Sequence, residues 1–139
     1  MDRSKVESGE RPLVLVVDDV ADNREIYAAY LEFVGYRVAQ ADNGHEALAK
    51  AFELHPDAVL MDLSLPGIDG WAVTRRLRQD EATRDILVIA LSGHTLGEYA
   101  DNAKASGCDA FMSKPCLPET VADEIRRALG KSKTSFKLP

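Results

Sequence analysis

The chain has 139 residues, 45% of them hydrophobic and 29% charged, a balance that suits one globular domain with a real core. A net charge of −6 leaves no basic field to favour nucleic acid or an anionic membrane surface. No stretch nears the ~20 apolar residues of a membrane span, and the polar opening MDRSKVESGERP holds no apolar signal core, so a cytoplasmic protein without membrane or nucleic-acid partners is expected.

Residues 1–11 read as a flexible N-terminal segment, and the domain itself runs over 12–130. LVLVV (13–17) is a continuous apolar run, the signature of a strand covered on both faces, and it stops at two adjacent acids, Asp18 and Asp19. An Asp22-x-x-Glu25 capping pattern then opens a first helical segment with Ile26, Tyr27, Tyr30, Phe33 and Val34 on its apolar face, closed by Gly35. YRVAQ (36–40) reads as a strand nearer the sheet edge. After Asn43-x-x-Glu46, Ala47, Leu48, Ala51 and Phe52 mark a second helical segment that stops before His55-Pro56.

AVLM (58–61) is again continuously apolar and ends at Asp62. Pro66-Gly67 shapes the following loop, and Asp69-Gly70 starts a third helical segment carrying Trp71, Val73 and Leu77. ILVIAL (86–91) is the fourth strand and leads into Ser92. Leu96, Tyr99, Ala100 and Ala103 give a fourth helical segment ended by Gly107. DAFMS (109–113) is the fifth strand, followed by Lys114-Pro115. Pro118 begins a fifth helical segment, with Val121, Ile125 and Leu129 inward and Gly130 at its end. KSKTSFKLP (131–139) reads as a flexible tail, and Cys108 and Cys116, lacking any CxxC or zinc-ligand pattern, read as reduced, packed thiols.

Five β-then-α units in series imply an α/β domain, a parallel sheet with helices on both faces. In such sheets the carboxyl ends of the strands line the binding crevice. Here those ends deliver Asp18, Asp19, Asp62, Ser92 and Lys114 to one edge. Converging carboxylates repel unless a hard cation sits among them, and an oxygen-only donor set points to Mg²⁺ or Mn²⁺. A carboxylate can itself be a nucleophile towards phosphorus, with a lysine and a hydroxyl to meet the new oxygens.

VVDDV, MDLSLPGIDG, ALSG and FMSKP together resemble the receiver domain of bacterial two-component response regulators, over about Leu13 to Gly130. The spacings 92 − 62 = 30 and 114 − 62 = 52 are also similar to that family's. The resemblance implies a flavodoxin-like (βα)5 doubly wound sheet of five parallel strands, order 2-1-3-4-5. It implies Asp62 as phosphoacceptor, receiving a phosphoryl group from a sensor histidine kinase or a histidine phosphotransfer protein. Asp19 would bind Mg²⁺ directly and Asp18 largely through metal-bound water, with Asp62 and the Ser64 backbone carbonyl completing the protein ligands. Ser92 would be the switch hydroxyl, Gly93 would keep the approach open, and Phe111 would be the switch aromatic. Lys114 would contact the phosphoryl group, with the Lys114–Pro115 bond expected cis. Ser64 and His94 are candidate modulators of dephosphorylation. Output would pass through a protein target or a self-dimer on the face of the fourth helical segment, fifth strand and fifth helical segment, in a stand-alone regulator or a piece of a larger one.

Rival readings fit less well. A haloacid dehalogenase-type phosphatase wants a second acid two residues after its nucleophile, where Val20 stands if Asp18 is the first. A flavin or nucleotide binder wants a phosphate loop after the first strand, and no GxGxxG or GxxxxGK[ST] is present. A non-phosphorylated pseudo-receiver would have no need of the complete acid, hydroxyl and lysine set.

Overall fold

The computed structural model describes residues 11–63, 65, 67–93 and 107–137, with side chains described as far as Gly130. The elements are β1 (Leu13–Val17), α1 (Ala21–Phe33), β2 (Arg37–Ala41), α2 (Gly44–Leu54), β3 (Ala58–Asp62), α3 (Gly70–Gln79), β4 (Leu87–Ser92), β5 (Ala110–Ser113) and α4 (Pro118–Lys137). The fourth helical segment of the sequence pattern, Ser64 and His94 lie outside the described residues.

The five strands are parallel in the order β2-β1-β3-β4-β5, the order implied by the resemblance. The apolar runs are continuous because alternate residues serve two cores. Leu15, Val17, Val59, Met61, Val88 and Ala90 face the layer under α2 and α3, closed by Ala47, Ala51, Val73 and Leu77. Val14, Val16, Leu60, Ile89 and Leu91 face the other layer, closed by Tyr27 and Leu31 of α1 and by Val121 and Ile125 of α4. Covering both faces removes the polar alternation that a half-exposed strand would need.

Three local expectations are corrected. The inward stripe of α1 is Tyr27, Ala28 and Leu31, whereas Ile26 is 56% and Phe33 83% exposed. Large apolar residues are spread around this helix, and of the expected face Tyr27 is buried and Tyr30 packs partly against the core. The Asp22-x-x-Glu25 pattern does not cap α1 either, because its N-cap is Val20 with no side-chain cap bond. Instead Asp18 Oδ1 accepts from the Val20 N–H at 2.9 Å, and Asp22 sits in the first turn, where negative charge suits the helix dipole. Finally, the α4 backbone continues through Gly130 to Lys137. Gly130 has no positive φ to stop it, and no proline follows before the last residue of the chain.

The other caps follow the sequence pattern. At the end of α1, Gly35 takes φ +113°, and the Gly35 and Tyr36 N–H groups donate to the Glu32 and Leu31 carbonyls at 3.1 and 3.0 Å. Asn43 caps α2 by accepting from the Glu46 N–H at 2.8 Å, and Asp69 caps α3 by accepting from the Ala72 N–H at 2.9 Å.

Candidate functional site

The parallel sheet brings its carboxyl ends to one edge, and the ionic side chains collect there. β1 runs out at Val17, placing Asp18 (2% exposed) against the sheet and Asp19 in solvent. β3 ends on Asp62, 3% exposed, and β4 on Ser92, which is fully buried. Lys114 follows β5 directly, and its peptide bond to Pro115 is cis. One carboxylate oxygen from each of Asp18, Asp19 and Asp62 falls within 4.8 Å of the others. Lys114 Nζ lies 3.2 Å from Asp62 Oδ2 and 3.7 Å from Asp18 Oδ2.

Several backbone contacts hold this arrangement. The Asp18 N–H donates to the Ala41 carbonyl at 3.1 Å and the Lys114 N–H to the Ser92 carbonyl at 2.7 Å, so both residues hang from neighbouring strands. Arg24 donates from Nη1 to the Asp18 carbonyl and from Nε to Gln40 Oε1, both at 3.0 Å, tying α1 to the ends of β1 and β2. A Cβ at Gly70 would stand 2.7 Å from the Asp62 carbonyl oxygen. Only glycine lets α3 begin so close to the end of β3.

The electrostatics are unbalanced in one direction. Among the described residues three carboxylates face one ammonium ion, a formal −3 + 1 = −2. Burial raises the Asp18 pKa; the Val20 N–H bond and Lys114 oppose it, and Asp62 and Asp19 add to it. For Lys114 burial pulls the pKa down, but the Asp62 and Asp18 carboxylates outweigh it and the net shift is upward. Among the described residues Asp18 Oδ2 is buried with no hydrogen-bond partner, its nearest cation being Lys114 Nζ at 3.7 Å. An orphaned carboxylate oxygen within a cluster of three acids fits a divalent cation with oxygen ligands.

Chain 14–126 matches the model of the response regulator receiver domain. The chain belongs to that family. The receiver is 35% identical over 117 residues to the polar-differentiation response regulator DivK of Brucella ovis, covering 84% of this chain and 95% of that one. It is 37% identical over 123 residues to the DNA-binding dual master transcriptional regulator RpaA of Synechocystis, covering 87% of this chain but only half of RpaA. Among solved structures, the receiver domain of the sensor histidine kinase PA1611 of Pseudomonas aeruginosa is 31% identical with a TM-score of 0.79. The match covers 86% of this chain and 98% of that one, and the PA1611 domain has a magnesium ion coordinated in its active-site cleft. The two-component receiver and its doubly wound sheet are therefore the family and fold of this chain.

Within the receiver, the described sequence-derived site residues fall into two groups. Asp18, Asp19, Asp62, Ser92 and Lys114 converge at the sheet edge, with Gly93 exposed directly after β4. Phe111 lies opposite Ala90 on β5, half-buried against the α2 and α3 layer. Sequence reasoning missed Arg24 and Tyr27. Both act on backbone carbonyls, of Asp18 and Cys116, and a carbonyl leaves no mark in a residue pattern.

Proposed function

We infer that the domain is a phosphorylation-dependent switch with Asp62 as its phosphoacceptor. The observation that carries this is the Lys114 ammonium 3.2 Å from Asp62 Oδ2, beside two further acids on the same edge. A carboxylate oxygen of Asp62 attacks the phosphorus of a phosphohistidine on a sensor kinase or phosphotransfer protein. The O–P bond forms as the N–P bond breaks, and the imidazole leaves with the electron pair and takes up a proton. Phosphoryl transfer depends on positioning and charge neutralisation more than on covalent machinery. Lys114 already faces the acceptor and neutralises the incoming oxygens, while the Ser92 hydroxyl hydrogen-bonds to them. Asp18, Asp19, Asp62 and the Ser64 carbonyl would hold Mg²⁺, and PA1611's receiver supports that choice of metal. When bound, Mg²⁺ supplies further neutralisation of the phosphoryl charge. Ser64 and His94 would tune the lifetime of the product, with Phe111 following Ser92.

The more negative product binds lysine and metal more strongly, which is the differential interaction needed to shift a conformational equilibrium. Output goes to a protein partner or a second copy through the fourth helical segment, β5 and α4. Among the described residues no helix is long and apolar enough to cross a membrane, and a cytoplasmic setting fits a kinase partner. Incubation with a small acyl phosphate and Mg²⁺ tests the assignment. Wild type gains one acid-stable, base-labile phosphate per chain; Asp62→Asn, or EDTA, abolishes it. Equal labelling of wild type and Asp62→Asn would refute it.

A further inference from the structure

Behind Lys114 lies a set of contacts that its charge partners do not explain. Tyr27 of α1 is buried in the core layer under α1 and α4, and its hydroxyl donates to the Cys116 carbonyl at 2.9 Å, across 89 residues of chain. The Cys116 thiol lies against the Ser113 carbonyl within the same turn. With the Lys114 N–H bonded to Ser92, the 113–116 segment is fixed to β4, to itself and to α1. Tyr27, Lys114, Pro115 and Cys116 line one cleft of about 450 Å³.

A buried phenol costs free energy unless its hydroxyl is bonded, so phenylalanine would suit a purely apolar role here. Lysine's four-carbon stem is flexible, so its ammonium ion is placed by its carboxylate partners together with the backbone beneath it. The geometry points to Tyr27 as a positioning residue for phosphoryl transfer. Its hydroxyl holds the Ser113–Cys116 turn, and through that turn the Lys114 ammonium facing Asp62. This rests on Asp62 being the phosphoacceptor. Burial raises the Tyr27 pKa above 10.0, so the hydroxyl keeps its proton and its bond throughout the neutral range.

The test is a double-mutant cycle: wild type, Tyr27→Phe, Lys114→Ala and the double variant, labelled with a small acyl phosphate and Mg²⁺ where each is folded by circular dichroism. Tyr27→Phe is expected to slow labelling about three- to tenfold, yet to change it less than about twofold when Lys114 is already alanine. Affinity for beryllofluoride, a phosphoryl mimic, should fall with Tyr27→Phe and show the same dependence on Lys114, which serves if the alanine background labels slowly. A wild-type rate and affinity in Tyr27→Phe, or an equal loss in both backgrounds, would overturn the positioning role while leaving Asp62 as acceptor. Absence of label on wild type would overturn the acceptor assignment and this role with it.

Discussion

Among the described residues Asp18 has one carboxylate oxygen bonded to the Val20 N–H and the other buried without a hydrogen bond, in a cluster that carries a surplus of negative charge. That arrangement suits cation binding and opposes stability in the cation's absence. Asp18→Asn keeps an oxygen for Val20 and removes one repelling charge. It is expected to raise metal-free stability by about 1 kcal/mol. Mg²⁺ should then raise the melting temperature of wild type more than that of the variant, because a ligand stabilises the state it binds. Melting curves with and without Mg²⁺ decide this; a destabilised metal-free variant would count against the account. Asp18, Asp19 and Asp62 were legible because they end apolar runs, and Lys114 because it follows the fifth strand directly. Tyr27 was not, since a tyrosine among apolar helix residues looks like any packed aromatic until its hydroxyl finds a carbonyl.

At the level of elements, β1, β3 and β4 were read almost to the residue because burial on both faces leaves an unbroken apolar signal, while the less buried β2 and β5 were read from mixed runs. Helix α1 was phased only in part: Tyr27 and Tyr30 do pack inward, but Ile26, Phe33 and Val34 offer apolar surface to solvent. The start of α2 was legible as a cap, and its details allow a pH prediction. Glu46 Oε1 accepts from the Asp42 N–H at 2.8 Å, and that bond holds its carboxyl below the ordinary value of 4.5, burial opposing and Lys50 assisting. The stabilisation is complete above the ordinary value and disappears as pH falls through the lowered one. Glu46→Gln is therefore expected to cost about 0.5 kcal/mol at neutral pH, the figure kept small by solvent screening. The difference from wild type should vanish well below pH 4.5. Urea titrations at several pH values check it; a gap that widens on acidification would contradict the cap.

Across the whole molecule, one guanidinium joins parts that no periodicity connects. Arg78, at the end of α3, donates to the carbonyls of Gly107, Arg84 and Ile86 at 2.9, 2.8 and 2.6 Å, and to Asp109 Oδ2 at 2.7 Å. The same Asp109 oxygen accepts from the Val88 N–H at 2.8 Å, so α3, β4 and the approach to β5 share one fastening. Arg78→Ala should lower unfolding stability by about 2 kcal/mol, and Arg78→Lys should rescue little, since one ammonium cannot span four acceptors. A urea midpoint near that of wild type for either variant would show the fastening to be idle. None of this was visible in the sequence, where Arg78 is one basic residue in a helix rich in them.

The strand order also has a consequence for the birth of the protein. Asp62 and Lys114 meet across 52 residues of chain, and β5 joins the sheet only through β4. On a ribosome the acids emerge first and wait for a lysine that follows β5, the last of the described strands. Such long-range pairing forms late, after its loop-closure cost has been met. A chain in which β5 has not yet docked thus holds the acids without the lysine that stands 3.2 Å from Asp62 in the folded domain. On the proposed function, competence to take up phosphate requires β5 to have joined the sheet.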